Sequence, residues 1–249
     1  IPSGTVLKGG AQTRIVASPV IVPAGESLKV AVRCVEAGRW SVHKDRSFHG
    51  ISASPLSVRR GKHIRDSTSR ILYSREADDQ QTTWAGVSDY LDQKRVYSST
   101  SSLADSIAQD REITLNLRQR RSKKESKAIE DALQGASGLA VGRGDGDWMS
   151  WDLFGTAQTA KYGVAMALES VELETGQVGV IADGLGEGQA LIAAVGEVKP
   201  NICRAQDRGL ATVVDFFTSG GAHGTAVLWE GLLLQMTLTW ENSEQPNQP

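Results

Sequence analysis

Cysteine is scarce in this chain. Cys34 and Cys203 are the only two in 249 residues. Neither stands at a metal-ligand spacing, and although the two could form one bridge, a chain this long does not need it. Two reduced thiols fit a cytoplasmic protein. No apolar run approaches the length of a membrane span. No charge of one sign dominates: 27 Lys and Arg face 29 Asp and Glu, for a net charge of −2. That balance, with 40% hydrophobic residues, excludes a wholly disordered chain and an obvious nucleic-acid coat. Internal repeats are missing as well. The opening IPSGTVLKGG has no basic stretch leading into an apolar one, so no signal peptide is read there. The absence of an initiating Met fits a processed or truncated start. Aromatics are few, at 6%, but six are tryptophan, which points to a small number of large anchors.

What is present sorts into strands, then helices, then strands. Leu28, Val30, Val32 and Cys34 alternate with Lys29, Ala31 and Arg33, which predicts a strand over 28–34 with Cys34 on its inward side. Ile51 to Arg59 reads as a further strand, with Pro55 making it an edge or a bulge. Asp78 and Asp79 can cap a helix from Gln80 to Lys94, where Trp84, Val87 and Leu91 share a face. After the polar linker SSTSS at 98–102, Ile107 to Leu133 is charge-rich and predicts one or two helices. GASGLAVGR and DWMSWDLF, joined by GDGD, predict a hairpin. A helix follows from Thr156 to about Leu173, its Gly163 signalling either close packing against a neighbour or simple tolerance of glycine. Leu210 to Thr218 reads as a strand. Thr225–Trp229 and Leu232–Trp240 read as a hairpin about Glu230-Gly231.

The helices are clustered instead of alternating with strands. That favours an α+β fold with a mainly antiparallel sheet or sandwich, built from both chain ends around a helical middle. The first and last strand groups are expected to share one sheet or sandwich, giving a single domain over 1–242 with a polar tail at 243–249.

Three segments carry a family resemblance: CVEAGRWS at 34–41, GASGLAVGRGDG…WDLFG at 135–155, and the closing GTAVLWEGLLLQMTL. In this order the chain resembles, over nearly its whole length, the uncharacterised domain family associated with ADP-ribosylglycohydrolases and rhodanese-type phosphatases. The resemblance implies a link to ADP-ribose metabolism through gene association, and it carries no active-site assignment. The basic run RQRRSKK and the glycines at 184–188 are not features of that family.

CVEAGRW is the most site-like stretch. Cys34 reads as a small core residue. Glu36, Arg39 and Trp40 fall just past the strand end, where loops carry function. An indole could stack on a base, a guanidinium could hold a phosphate and a carboxylate could hold ribose hydroxyls. The competing interpretation is a structural Glu36–Arg39 pair with Trp40 capping the core. Asp152, in DLFG, is suited to act as an acid, a base or a ligand, or to fix the turn before the next helix. His43, His49 and His63 form a loose group without helical metal-site spacing, so no metal site is predicted. His223 reads as a turn residue. Asp183-Gly184, opening GLGEG, lacks the Lys-Ser/Thr ending of a phosphate loop. Arg118, Arg120, Arg121, Lys123 and Lys124 form a basic run, but acids surround it, and a solvated face is favoured over a nucleic-acid site.

The functional expectation is therefore a domain binding a nucleotide or ADP-ribose-like ligand through Glu36, Arg39, Trp40 and Asp152. The alternative is a non-enzymatic structural or assembly protein. The expected partner is a small nucleotide-like molecule, with no nucleic acid or membrane, and homo-oligomers are compatible. No cofactor or reaction is assigned.

Overall fold

The structure is a computed structural model, which describes residues 1–38, 47–73, 80–120, 123, 127, 135–142, 148–175, 200–208 and 210–241. Strands β1 (Thr5–Gly9), β2 (Arg14–Val16), β3 (Val32–Cys34) and β4 (Phe48–Ala53) come first. Helices α1 (Leu56–Tyr73), α2 (Gln80–Lys94) and α3 (Leu103–Arg120) follow. The hairpin β5 (Gly138–Gly142) and β6 (Trp148–Phe154) leads to α4 (Ala157–Thr175). The last group is β7 (Pro200–Arg208), β8 (Ala211–Thr218), β9 (Ala222–Trp229) and β10 (Leu232–Trp240). The fold is α+β, and every pairing between these strands is antiparallel. Among the described residues no helix is long and apolar enough to cross a membrane.

The two strand groups do not share a sheet. The first forms a four-stranded sheet ordered β3-β2-β1-β4, and the second a six-stranded sheet ordered β5-β6-β10-β9-β8-β7. Alternation reveals which face of a strand is covered, but not which strand lies beside it.

Two strand expectations are corrected. Strand 28–34 shrinks to Val32–Cys34, because its partner β2 is only three residues long and offers no longer ladder. Leu28 and Val32 are then 40% and 39% exposed, while Arg33 and Cys34 are buried. Val35, which alternation turns away from the Cys34 side, is also 0% exposed. Its carbonyl receives the Leu103 amide at the start of α3, which covers that side. The strand expected over 51–59 ends at Ala53, and Pro55 precedes a helix instead of bulging a strand. Proline at a helix start costs nothing, because the first amides have no intrahelical acceptor.

Other elements follow their local chemistry. Thr156 caps α4 reciprocally: the Thr159 amide donates to Thr156 Oγ1 at 3.1 Å and the Thr156 amide to Thr159 Oγ1 at 3.2 Å. Gly163 in α4 lies under the Phe154 ring, where an added Cβ would stand 2.0 Å from a ring carbon. Gln80, at the start of α2, pairs with β3 through both ends of its amide, accepting from Cys34 N at 3.0 Å and donating to Cys34 O at 2.7 Å. The expected caps Asp78 and Asp79 lie outside the described residues.

The main apolar cluster joins Val6, Ile15 and Val35 of the first sheet region to Val58, Val87, Tyr90, Leu103, Ile107 and Leu173 of the helices. A second cluster, Trp151, Phe216, Ala222 and Leu238, lies on the six-stranded sheet. Helix α1 touches β7, β8, β9 and β10 of that sheet as well as α2 and α4.

Candidate functional site

The register of the six-stranded sheet lines up a polar row. Asp152 of β6 stands opposite Thr237 of β10, Thr237 opposite Thr225 of β9, and Thr225 opposite Asp215 of β8. Period-two alternation therefore sends these polar side chains to one face and Trp151, Leu238 and Phe216 to the other. The polar face meets α1. Arg59, His63, Asp66 and Arg70 recur at helical spacing, so they share one side of α1.

Each contact between helix and row is specific. Arg59 Nη2 donates to Asp152 Oδ2 at 2.5 Å, and Thr237 Oγ1 donates to Asp152 Oδ1 at 2.8 Å. Arg70 holds Asp215 in a two-bond fork. His63 lies between two threonines, with Nδ1 2.7 Å from Thr239 Oγ1 and Nε2 2.8 Å from Thr225 Oγ1. Thr225 gives its one hydroxyl proton to Asp215 Oδ1 at 2.6 Å. A carboxylate can only accept, so Thr225 must accept from His63, and the proton is assigned to Nε2. Nδ1 then accepts from Thr239, and the ring is neutral. Burial pushes the His63 pKa well down, and the nearby Arg70 and Lys62 charges push it further.

Asp66 ties α1 to the first sheet. It accepts from Arg33 of β3 and pairs with Lys62 Nζ at 3.0 Å. Lys62 also donates to Ser3 Oγ at 3.1 Å and to the Ala17 carbonyl. Burial lowers the Lys62 pKa, with Asp66 opposing that shift. Burial alone would raise the Asp66 carboxyl, but Lys62 and Arg33 overcome it and hold the group below its ordinary value. Burial likewise works against the Arg70 cation, but its bonds to Asp215 raise the pKa on balance.

A cavity of about 30 Å³ opens among these groups, its wall formed by the charged Arg59, Lys62, Asp66 and Arg70 and the neutral His63. A second, of about 10 Å³, adjoins it against Phe154, Gly163 and Met166. The two share Ser3, Arg59 and Gln235. Arg59 is thus the side chain at their junction, fixed on one nitrogen by Asp152.

The site residues expected from sequence are not gathered in one place. Asp152 is in the polar row. Glu36 is buried at the corner after β3, where its Oε2 accepts from Thr13 N at 2.8 Å and Thr13 Oγ1 at 3.0 Å, and its Oε1 from Thr100 Oγ1 at 2.9 Å. Glu36 lines neither cavity. Arg39 and Trp40 lie outside the described residues, as do His43, Asp183 and the glycines at 184–188. His49 is exposed beside Ser47. His223 is not a turn residue: it sits in β9, paired with Glu241 at 3.3 Å and edge-on to the Phe217 ring. Of the basic run, the backbone places Arg118 and Arg120 at the end of α3. Cys34 and Cys203 are free thiols, the first buried and the second exposed. Among the described residues no three His, Cys, Asp or Glu side chains group as metal ligands.

Arg59, Lys62, Asp66 and Arg70 were missed from sequence. The signal was available: charged residues at helical spacing in SVRRGKHIRDSTSR. It is invisible while 51–59 is taken for a strand.

A family model, ARPP-1, described as the ARG and Rhodanese-Phosphatase-superfamily-associated Protein domain, matches residues 1–239. The chain belongs to this family. ARPP-1 domains are named for that association, and the match runs through both sheets and all four described helices of this chain. No curated protein and no solved structure matches the chain. The polar row and the face of α1 above it both lie within the ARPP-1 match.

Proposed function

We propose that this ARPP-1 domain binds a small nucleotide or ADP-ribose-like ligand by its phosphate, in the cleft between α1 and the six-stranded sheet. The observation that carries this reading is Arg59. Its guanidinium stands at the junction of two cavities, oriented by Asp152, with Lys62 and Arg70 along the same wall. A guanidinium held by one nitrogen keeps further donors for a phosphate. The energetics point the same way. Buried ion pairs are commonly no more stabilising than apolar packing, so a helix seated on them gains little stability from them. Clusters of shifted titratable groups beside a cavity are typical of binding sites.

Thermal-shift titration tests this. At least one member of a set of adenosine nucleotides and ADP-ribose should raise the melting temperature of the wild type, because a ligand that binds only the native state stabilises it. Arg59→Ala should abolish the rise. A wild type indifferent to every compound in that set would refute the proposal.

One observation favours the alternative of a structural or assembly protein. Lys62 is already satisfied by Ser3, the Ala17 carbonyl and Asp66, as a purely structural lysine would be. On that reading the polar row serves only to seat α1, and no nucleotide shifts the melting curve.

A further inference from the structure

We infer that the cleft takes a terminal phosphate, as in a phosphomonoester, and turns away a phosphate linked on both sides. This deepens the reading above and rests on the cleft being a nucleotide-phosphate site.

Size is the first argument. A cavity of about 30 Å³ has room for about two waters. One phosphoryl group can replace them, whereas whole drug-sized ligands occupy roughly 300–1,000 Å³. Only the end of a nucleotide enters.

Shape is the second. Lys62, Asp66 and Arg70 at the inner wall are buried, while Ser3 and Gln235 are half-buried and the Arg59 side chain is 14% exposed. Among the described lining residues this gradient marks Ser3, Arg59, Gln235 and Thr237 as the mouth, the first three of which also border the smaller cavity. Beyond Arg59 the space narrows to about 10 Å³ against Phe154 and Met166, room for about one water. The Phe154 ring is itself backed by Gly163. A substituent on a phosphate seated inside would leave through this mouth, and the buried Lys62, Asp66 and Arg70 leave a second substituent no room on the inner side. The phosphates of ADP-ribose each carry two.

Charge is the third. Arg59, Lys62 and Arg70 line the cavity, and with Arg33 they make four cations against three carboxylates, Asp66, Asp152 and Asp215, so one positive charge is in excess. A terminal phosphate carries about −1.5 to −2 at pH 7, more than a doubly linked one can.

The test is calorimetric titration at low salt with adenosine 5′-monophosphate, its phosphate methyl ester and ADP-ribose. The monophosphate should bind at least about tenfold more tightly than either of the others. Gln235→Glu puts an anion at the mouth on a half-buried side chain whose recorded bond is a long one, 3.3 Å to Thr237. It should weaken monophosphate binding by at least about tenfold while leaving the melting temperature unchanged. If the ester or ADP-ribose binds within about twofold of the monophosphate, this inference fails and the nucleotide reading stands. If none of the three binds, the nucleotide reading fails and takes this inference with it.

Discussion

Arg70 holds Asp215 through two parallel bonds, Nε to Oδ2 at 2.6 Å and Nη2 to Oδ1 at 2.7 Å, with both side chains buried. This fork joins α1 to the middle of the six-stranded sheet. Asp215 also accepts from Thr225, which in turn fixes His63, so one carboxylate supports a chain of three partners.

Breaking the fork should therefore cost more than the fork is worth. Arg70→Met leaves Asp215 charged and buried, and should destabilise the protein by about 3–5 kcal/mol. The double variant Arg70→Met/Asp215→Leu should lose clearly less than the sum of the single losses. Urea unfolding of the four proteins in the cycle measures this. Additive losses would mean that the pair does not interact.

Acid should weaken the fold through His63 before it reaches the carboxylates. The folded pKa lies well below the ordinary value, so the unfolded state binds the extra proton as pH falls below about 6.5. Stability is undiminished by this group above that pH and is lost progressively as pH falls towards the folded pKa. His223 shifts in the same direction, burial outweighing Glu241. A melting temperature that declines from pH 7.5 to 5.5, and declines less in His63→Gln, is expected. Equal slopes in the two proteins would remove His63 from the account. Asp66, held low, adds a separate loss below about pH 4.

Gly163→Ala should be destabilising by about 1–3 kcal/mol, since the new methyl meets the Phe154 ring in a filled space. Shortening the ring side chain with Phe154→Leu should recover part of that loss in the double variant. Chemical denaturation provides the comparison, and a neutral Gly163→Ala would show that the ring can move aside.

Glu36→Gln separates the corner after β3 from the cleft. It weakens charge-assisted bonds from Thr13 and Thr100 and should cost about 1–3 kcal/mol. Nucleotide affinity, measured on the folded variant, should not change. An affinity loss without a stability loss would return the binding site to the CVEAGRW corner.

The hairpin β9–β10 was legible because a single local feature decides it: Glu230 and Gly231 both take positive φ, 50° and 78°, at a two-residue turn. Helices α2 and α4 were legible for a similar reason, their apolar faces repeating at helical spacing. Helix α1 was not, because its recurring residues are charged, and an apolar-periodicity reading passes over a helix that buries Arg60, Lys62 and Arg70. Asp152 could be singled out as a lone carboxylate. Its partner Arg59 could not, because 93 residues and a sheet register separate them. Glu36 could be singled out as a carboxylate for ribose hydroxyls or for a structural pair with Arg39, but its donors Thr13 and Thr100 come from distant loops and were not legible.

Seating a helix on ion pairs has a mechanical consequence. A greasy helix can creep along a greasy sheet in small steps, exchanging one contact for a similar one. Helix α1 is indexed instead, by Arg59 on Asp152, His63 on Thr225 and Arg70 on Asp215. A displacement of one turn, about 5.4 Å, would strand every charge at once. Any motion of α1 over the sheet should therefore break these contacts together, visible as an all-or-none release and not as a continuum of positions.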